Sequence, residues 1–194
     1  IMEYLDDAYP KAPLKSKNPF VRAKTRLWMK QLDEGIHACL ATISNAVAFR
    51  YQHMEGRSKK ELEAYFDGIP DPVRRKRIRD VTFKGTASEY FKPAMQRFEL
   101  LFSDMDSTLK DNDWLAGDEY TLADIAYMPY LTRFDHLQLL GLLDSKPKVL
   151  DWYERIKVLP SYKQGIVEWL NQNYLPLLRE KGLEAWPDIK NMLV

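Results

Sequence analysis

"WLAGDEYTLADIAYMPYL", residues 114–131, decides how the chain is read. A loop with one glycine, Gly117, and two acidic residues, Asp118 and Glu119, passes into small and apolar residues at helical spacing, with Thr121 and Asp124 at the junction. In a capping box the first residue's hydroxyl takes a backbone N–H three positions on, and the side chain there reaches back to the first residue's own N–H. Asp124 stands where Glu or Gln is usual. Tyr120 before the cap and Ile125 after it are placed for a hydrophobic staple. Ala123 and Ala126 keep the helix slim enough to run through the middle of a bundle. Pro129 should bend it, because proline deletes a hydrogen bond and its ring crowds the preceding turn. Local chemistry makes Thr121 and Asp124 structural.

Working outward, helix signals dominate. Asn18-Pro19 supplies an N-cap and a proline at the first helical position. The stripe Leu32, Ile36, Cys39 or Leu40, Ile43 and Val47 then predicts one long helix to about Gln52. Ser58 and Glu61 form an S-x-x-E box ahead of Leu62, Tyr65 and Phe66. Asp71-Pro72 opens a further helix with Val73, Ile78 and Val81. From about Ala87 a second long helix carries Phe91, Ala94 or Met95, Phe98, Leu101 or Phe102, Met105 and Leu109. Ser145-Lys146-Pro147 starts another, with Val149, Leu150, Tyr153 and Ile156 inward. Pro160-Ser161 opens the next, through Val167, Leu170 and Tyr174. The tail from Pro176 carries no decisive pattern. No alternating strand pattern and no repeat occurs, so the predicted class is an all-α helical bundle. At the start, Ile1, Leu5 and Ala8 recur at helical spacing until Tyr9-Pro10, which reads as the end of a helix followed by a linker to Lys17.

The 194 residues are 45% apolar and 29% charged, a globular balance with enough chain for a real core. A formal net charge of +1 excludes a strongly electrostatic partner for the molecule as a whole. The single cysteine, Cys39, forbids an internal disulfide and fits a reducing, cytoplasmic setting. No apolar run approaches the length of about 18 residues that reads as a membrane span.

Candidates for chemistry are few. His37, His53, His136 and Cys39 lack the paired spacing of a zinc site, so no metal is expected. Arg26, Lys30, Asp33 and His37 step by four, three and four, giving one polar stripe. It fits a substrate-facing edge, a solvated face or a dimer interface. Tyr127, Tyr130 and Phe134 form an aromatic stripe beside Pro129, either core or pocket lining. "RRKRIR", residues 74–79, is the one strong charge cluster. It fits a solvated helix face or an anion site, without the aromatic platforms or clamps of a nucleic-acid binder.

The 114–131 segment closely resembles the start of the central helix in the C-terminal domain of glutathione transferases. "NPFVRAKTRLWMKQLDEGIH" (18–37) resembles that domain's first long helix, and "VLDWYERIKVLPSYKQGI" (149–166) its closing helices. "IMEYLDDAYP" (1–10) looks like the end of the last helix of the thioredoxin-like domain that precedes it in the family. "YFDGIPDPVRRKRIRDVTFKG" (65–85) resembles the insert of bacterial members that cleave aryl ethers. The resemblance implies a division into 1–17, domain-closing helix and interdomain linker, and 18–194, the helical domain. It implies glutathione as co-substrate, a hydrophobic electrophile as the other substrate, and a homodimer without membrane or nucleic-acid partners. The thiol-activating residue of the family lies in the thioredoxin-like domain, so no catalytic residue is expected in this chain and the 194 residues alone should be inactive. Some bacterial members carry a histidine and then a lysine near the glutathione sulfur on the first long helix. Here His37 matches the histidine and Ala38 replaces the lysine. With Asp33, Lys30, Arg26, Tyr127 and Tyr130 it forms the candidate substrate-binding set. The alternative is a non-catalytic scaffold of the same fold for protein or RNA partners.

Overall fold

The computed structural model describes residues 1–193, and these contain no β-strand; the one extended pairing is an isolated bridge between Trp114 and Gly117. The chain is all-α, as the sequence predicts. In order the helices are α1 (Met2–Ala8), α2 (Pro19–Gln31), α3 (His37–Ser44), α4 (Arg50–Met54), α5 (Lys59–Asp67), α6 (Pro72–Lys84), α7 (Phe91–Asp111), α8 (Leu122–His136), α9 (Pro147–Lys157), α10 (Pro160–Gly165) and α11 (Leu175–Leu193). Two compact units divide them. The first takes Ile1–His37, Leu100–Thr132 and Leu143–Trp169; the second takes Ala38–Glu99, Arg133–Leu142 and the chain from Leu170.

Helix starts follow local chemistry. Asn18 Oδ1 accepts the Phe20 N–H at 2.9 Å ahead of Pro19. Asp71 Oδ1 accepts the Val73 N–H at 2.9 Å ahead of Pro72. Ser58 and Glu61 complete their box in both directions, at 3.3 and 2.7 Å. Each bond satisfies an N–H that the first turn would otherwise leave open.

Three expectations need correction. The long helix from Pro19 is not continuous, because Gly35 adopts φ +122° and Glu34 ψ +28°, and π-helical turns occupy Leu32–Ile36 and Asn45–Phe49. A left-handed φ is open to glycine and strained for other residues, so Gly35 permits the break that the apolar stripe conceals. The helix from Pro160 stops at Gly165 and does not run on through Val167, Leu170 and Tyr174; Val167 and Tyr174 are exposed and offer no buried face to extend it. In α9, Trp152 takes the buried place expected of Leu150, which is only half-buried.

Packing in the first unit rests on Trp152, Tyr153 and Ile156 of α9, all fully buried, with Leu101, Met105 and Tyr127. Its buried hydroxyls satisfy one another: Thr132 Oγ1 lies 3.1 Å from Tyr162 Oη and Tyr153 Oη lies 3.2 Å from the same atom. In the second unit Phe98 packs on Phe134 with ring centroids 4.8 Å apart, and Phe66 packs edge-on to Phe83. The tail, unreadable from its pattern, forms α11 with Leu178, Gly182 and Ile189 buried.

Gly182 sits where a β-carbon would overlap the Leu137 backbone carbonyl. Helix propensity alone favours Ala over Gly by about 1 kcal/mol. Overpacking against an immovable backbone costs about 1–3 kcal/mol and more where nothing can yield. Gly182→Ala should therefore destabilise, lowering the urea midpoint; an unchanged or raised midpoint would refute the close contact.

His53 and His136 of the second unit are half-buried, and burial is the main reason that both give up their protons more readily than free histidine. The Arg57 charge adds to it at His53, and Arg133 adds to it at His136 against an opposing pull from Asp135. A folded pKa below the unfolded one means that the unfolded chain takes up the proton first as pH falls. The associated stability is complete above the unfolded value of about 6.5 and is lost as pH falls through the lowered folded values. Urea midpoints should decline from about pH 7.5 to about pH 5, and His53→Gln with His136→Gln should flatten that slope.

Candidate functional site

The first unit contains an open cleft of ≈ 920 Å³. Met2 and Glu3 of α1 form one end, Met29, Leu32 and Asp33 one side, and Ile125 to Tyr130 of α8 the other. Three methionines, Met2, Met29 and Met128, give it a soft, adaptable apolar lining. Polar groups stand only at its edges. Pro129 has no N–H to offer the Ile125 carbonyl, so that oxygen lacks its usual helical donor on the cleft wall.

Tyr130 is the polar side chain of most interest. Its hydroxyl shares a 3.3 Å hydrogen bond with His37 Nδ1, and the two rings meet edge-on at 6.3 Å. Burial, reinforced by the Asp33 charge, pushes the phenol above its ordinary pKa. It is therefore neutral at physiological pH and can donate.

The candidate stripe divides. Asp33 lines the cleft and His37 reaches it through Tyr130. Arg26 instead forms a two-pronged pair with Glu3, at 2.7 and 2.9 Å, and Lys30 pairs with Glu34 at 3.1 Å. Tyr127 stands behind the wall: it is fully buried, donates to the Trp28 carbonyl at 2.8 Å and meets the Trp28 ring edge-on at 5.4 Å. Sequence reasoning missed Met2, Met29 and Met128, whose spacing gave no sign of a common surface. The proline that should bend α8 and the aromatic stripe at Tyr130 were the pointers to this wall.

Beneath the cleft wall lies the junction at Thr121. Asp124 is wholly buried and accepts four bonds: Thr121 N–H at 2.9 Å and Thr121 Oγ1–H at 3.2 Å on Oδ2, Leu115 N–H at 3.0 Å and Trp152 Nε1–H at 2.9 Å on Oδ1. Thr121 Oγ1 in turn accepts the Ala123 N–H at 3.3 Å, one residue short of the box expected. Tyr120 packs edge-on to Trp114, 4.9 Å between centroids. Burial pushes the Asp124 carboxyl up, against these four donors, which favour the carboxylate.

Elsewhere, His53 Nε2 lies 3.2 Å from Asn45 Oδ1 and its ring stacks on Tyr65. No group of three or more His, Cys, Asp or Glu side chains gathers with metal-binding geometry among the described residues. None of the described helices is long and apolar enough to cross a membrane.

This fold coincides with a family. The model of the glutathione S-transferase C-terminal domain matches residues 40–160, and the chain belongs to that family. Among individual relatives, protein LigF of Sphingobium sp. strain NBRC 103272 / SYK-6 is 26% identical over 191 residues, covering 93% of this chain and 72% of LigF. The crystal structure of beta-etherase LigF superposes with a TM-score of 0.72 at 25% identity, covering 86% of this chain and 70% of that one. The 2,5-dichlorohydroquinone reductive dechlorinase of Sphingobium indicum is 34% identical over 132 residues, 60% of this chain and 38% of that protein.

Asp124→Ala would leave the Leu115, Thr121 and Trp152 N–H groups buried without their acceptor, at about 1–3 kcal/mol each before relaxation. Chemical unfolding should show a loss of about 3 kcal/mol or more, with Asp124→Asn intermediate. A loss no larger than that of a surface substitution would refute the keystone role.

Proposed function

We propose that this chain is the electrophile-binding part of a glutathione-dependent enzyme that conjugates glutathione to, or cleaves with it, a hydrophobic aryl substrate. The cleft beside Tyr130 is the observation that carries the reading. Its volume lies in the range of about 300–1,000 Å³ common to small-molecule sites, and its methionine lining suits an aromatic ligand. Family membership supports glutathione as co-substrate, and the named activities of LigF and the dechlorinase support an aryl ether or aryl halide as the other.

In the ether case the glutathione thiolate attacks carbon, the C–S bond forms as the C–O bond breaks, and the aryloxide leaves with the electron pair. Tyr130 donates a hydrogen bond to the departing oxygen; the His37 contact sets its orientation, and burial with the Asp33 charge keeps it neutral. The cleft supplies proximity and removal of water. Thiol activation belongs to a thioredoxin-like part of the whole protein, and residues 1–17 join that part to the helical domain at 18–194. The exposed side chains of Ile1, Tyr4 and Leu5 support such a junction. The working form is a cytoplasmic homodimer.

The test is steady-state kinetics of the full-length gene product with glutathione and a β-aryl ether carrying a fluorescent phenol. Met128→Trp, which fills the cleft, should abolish turnover while glutathione binding persists. Tyr130→Phe should lower kcat/KM for the ether about tenfold, the worth of one hydrogen bond, with KM for glutathione unchanged. Full activity of Met128→Trp would overturn the reading, as would conjugation by the 194 residues alone. Glutathione binding without turnover of any aryl ether or halide would favour a non-catalytic scaffold.

A further inference from the structure

Helix α6 carries six cations: Arg74, Arg75, Lys76, Arg77, Arg79 and Lys84. Four are engaged. Arg75 donates twice to the Ile69 carbonyl, at 2.9 and 2.7 Å. Lys76 pairs with Glu89 at 3.7 Å, Arg79 grips both Glu63 oxygens at 2.7 Å, and Lys84 pairs with Asp80 at 2.5 Å. Arg74 and Arg77 pair with no carboxylate among the described residues. These two, and no other cation of α6, line a cleft of ≈ 90 Å³ whose further walls are Thr42, Asn45, Ile78 and Val81.

A third guanidinium, Arg97, acts on the same thiol as Arg77, that of Cys39. Burial pushes the Cys39 thiol up, while Arg97 and Arg77 both lie close enough to pull it the other way. Arg97, too, has no carboxylate partner among the described residues. Arg79 and Lys84 of α6 hold carboxylates within hydrogen-bond reach, Lys76 lies 3.7 Å from Glu89 and Arg75 is bound to a backbone carbonyl, so Arg74 and Arg77 are the cations of α6 that line this concavity without a carboxylate. Like charges gathered without counter-charge repel one another, and a bound anion relieves that repulsion. Guanidinium forks match the paired oxygens of a phosphate. Asn45 Nδ2 spends one N–H on the Ala41 carbonyl at 2.7 Å and keeps the other. The volume is that of about three waters, room for one tetrahedral oxyanion and not for a nucleic-acid strand. Ile78 and Val81 add an apolar wall for a small organic substituent.

We propose that this cleft of the second unit binds a phosphate monoester, held by Arg74 and Arg77 with Asn45 as a third donor. The proposal is independent of the cleft at Tyr130.

Calorimetric titration of the full-length gene product at low ionic strength, with inorganic phosphate and with phenyl phosphate, tests it. Both should bind at one saturable site, phenyl phosphate more tightly. Arg74→Gln with Arg77→Gln should weaken binding by about tenfold or more, and Asn45→Asp, which sets a carboxylate in the cleft, should do the same. Lys76→Gln, already neutralised by Glu89, should leave affinity within about twofold. Thermal melting should show the arginine variants as stable as the parent, since neither side chain has an internal partner to lose. Absence of saturable binding would overturn the proposal. Equal weakening in Lys76→Gln would overturn it in favour of diffuse surface charge. An RNA oligonucleotide that binds here and is not displaced by phosphate would overturn it in favour of a nucleic-acid surface.

Discussion

A single carboxylate fixes the start of α8. Asp124 gathers donors from the loop at Leu115, from the cap at Thr121 and from Trp152 of α9. A buried carboxylate costs several kcal/mol of desolvation and is tolerated only when its lone pairs are filled. Here they are filled by groups that would themselves be unsatisfied without it. The helix N-terminus contributes a favourable field, since its open N–H groups point at the acid. Position and phase of α8 follow from that junction, and with them the wall that carries Met128, Pro129 and Tyr130. The cleft is thus set by an interaction at the start of the helix that lines it.

Charge is distributed with a similar division. Near the cleft, Arg26 and Lys30 are neutralised locally by Glu3 and Glu34, both across exposed contacts that solvent screens. These pairs steer little, and they leave the apolar lining without a strong field apart from Asp33. In the second unit the opposite holds at Arg74 and Arg77, which line a concavity and lack carboxylate partners among the described residues. Formal net charge near neutral conceals both arrangements. Composition reports the sum, whereas recognition depends on which charges are already spent.

Legibility in the sequence tracked how local the cause was. Caps at Asn18, Ser58 and Asp71 were readable because each involves residues two or three apart. The apolar stripe of α7, from Phe91 to Leu109, was readable because nothing interrupts its period. Gly35 was lost because apolar residues on either side of it keep helical spacing through a break in the backbone. The α11 tail was lost because Gly182 and Pro187 signal a loop locally, while close approach to Leu137 is what requires the glycine. Of the candidate site, Tyr130, Asp33 and His37 come together, while Lys30 takes the neighbour Glu34 that helical spacing offers and Arg26 finds Glu3, a partner the spacing could not reveal. Tyr127 shows the same limit, since an aromatic one turn from the cleft wall is indistinguishable by period from one in it.

The state of Tyr130 limits what this unit can do chemically. A phenol that is half-buried and faces the Asp33 carboxylate resists ionisation from two sides. It cannot serve as a base toward a thiol at neutral pH, because the base form is the one its surroundings penalise. As a donor it is well suited, since a neutral O–H in a partly dry cleft stabilises charge growing on a leaving oxygen more than water does. The His37 contact, at 3.3 Å, is long enough to be exchanged for a shorter one when such an oxygen arrives. In the proposed reaction the burden of making the thiolate then falls on another part of the protein. The helical unit keeps the complementary task of receiving the charge that the thiolate displaces.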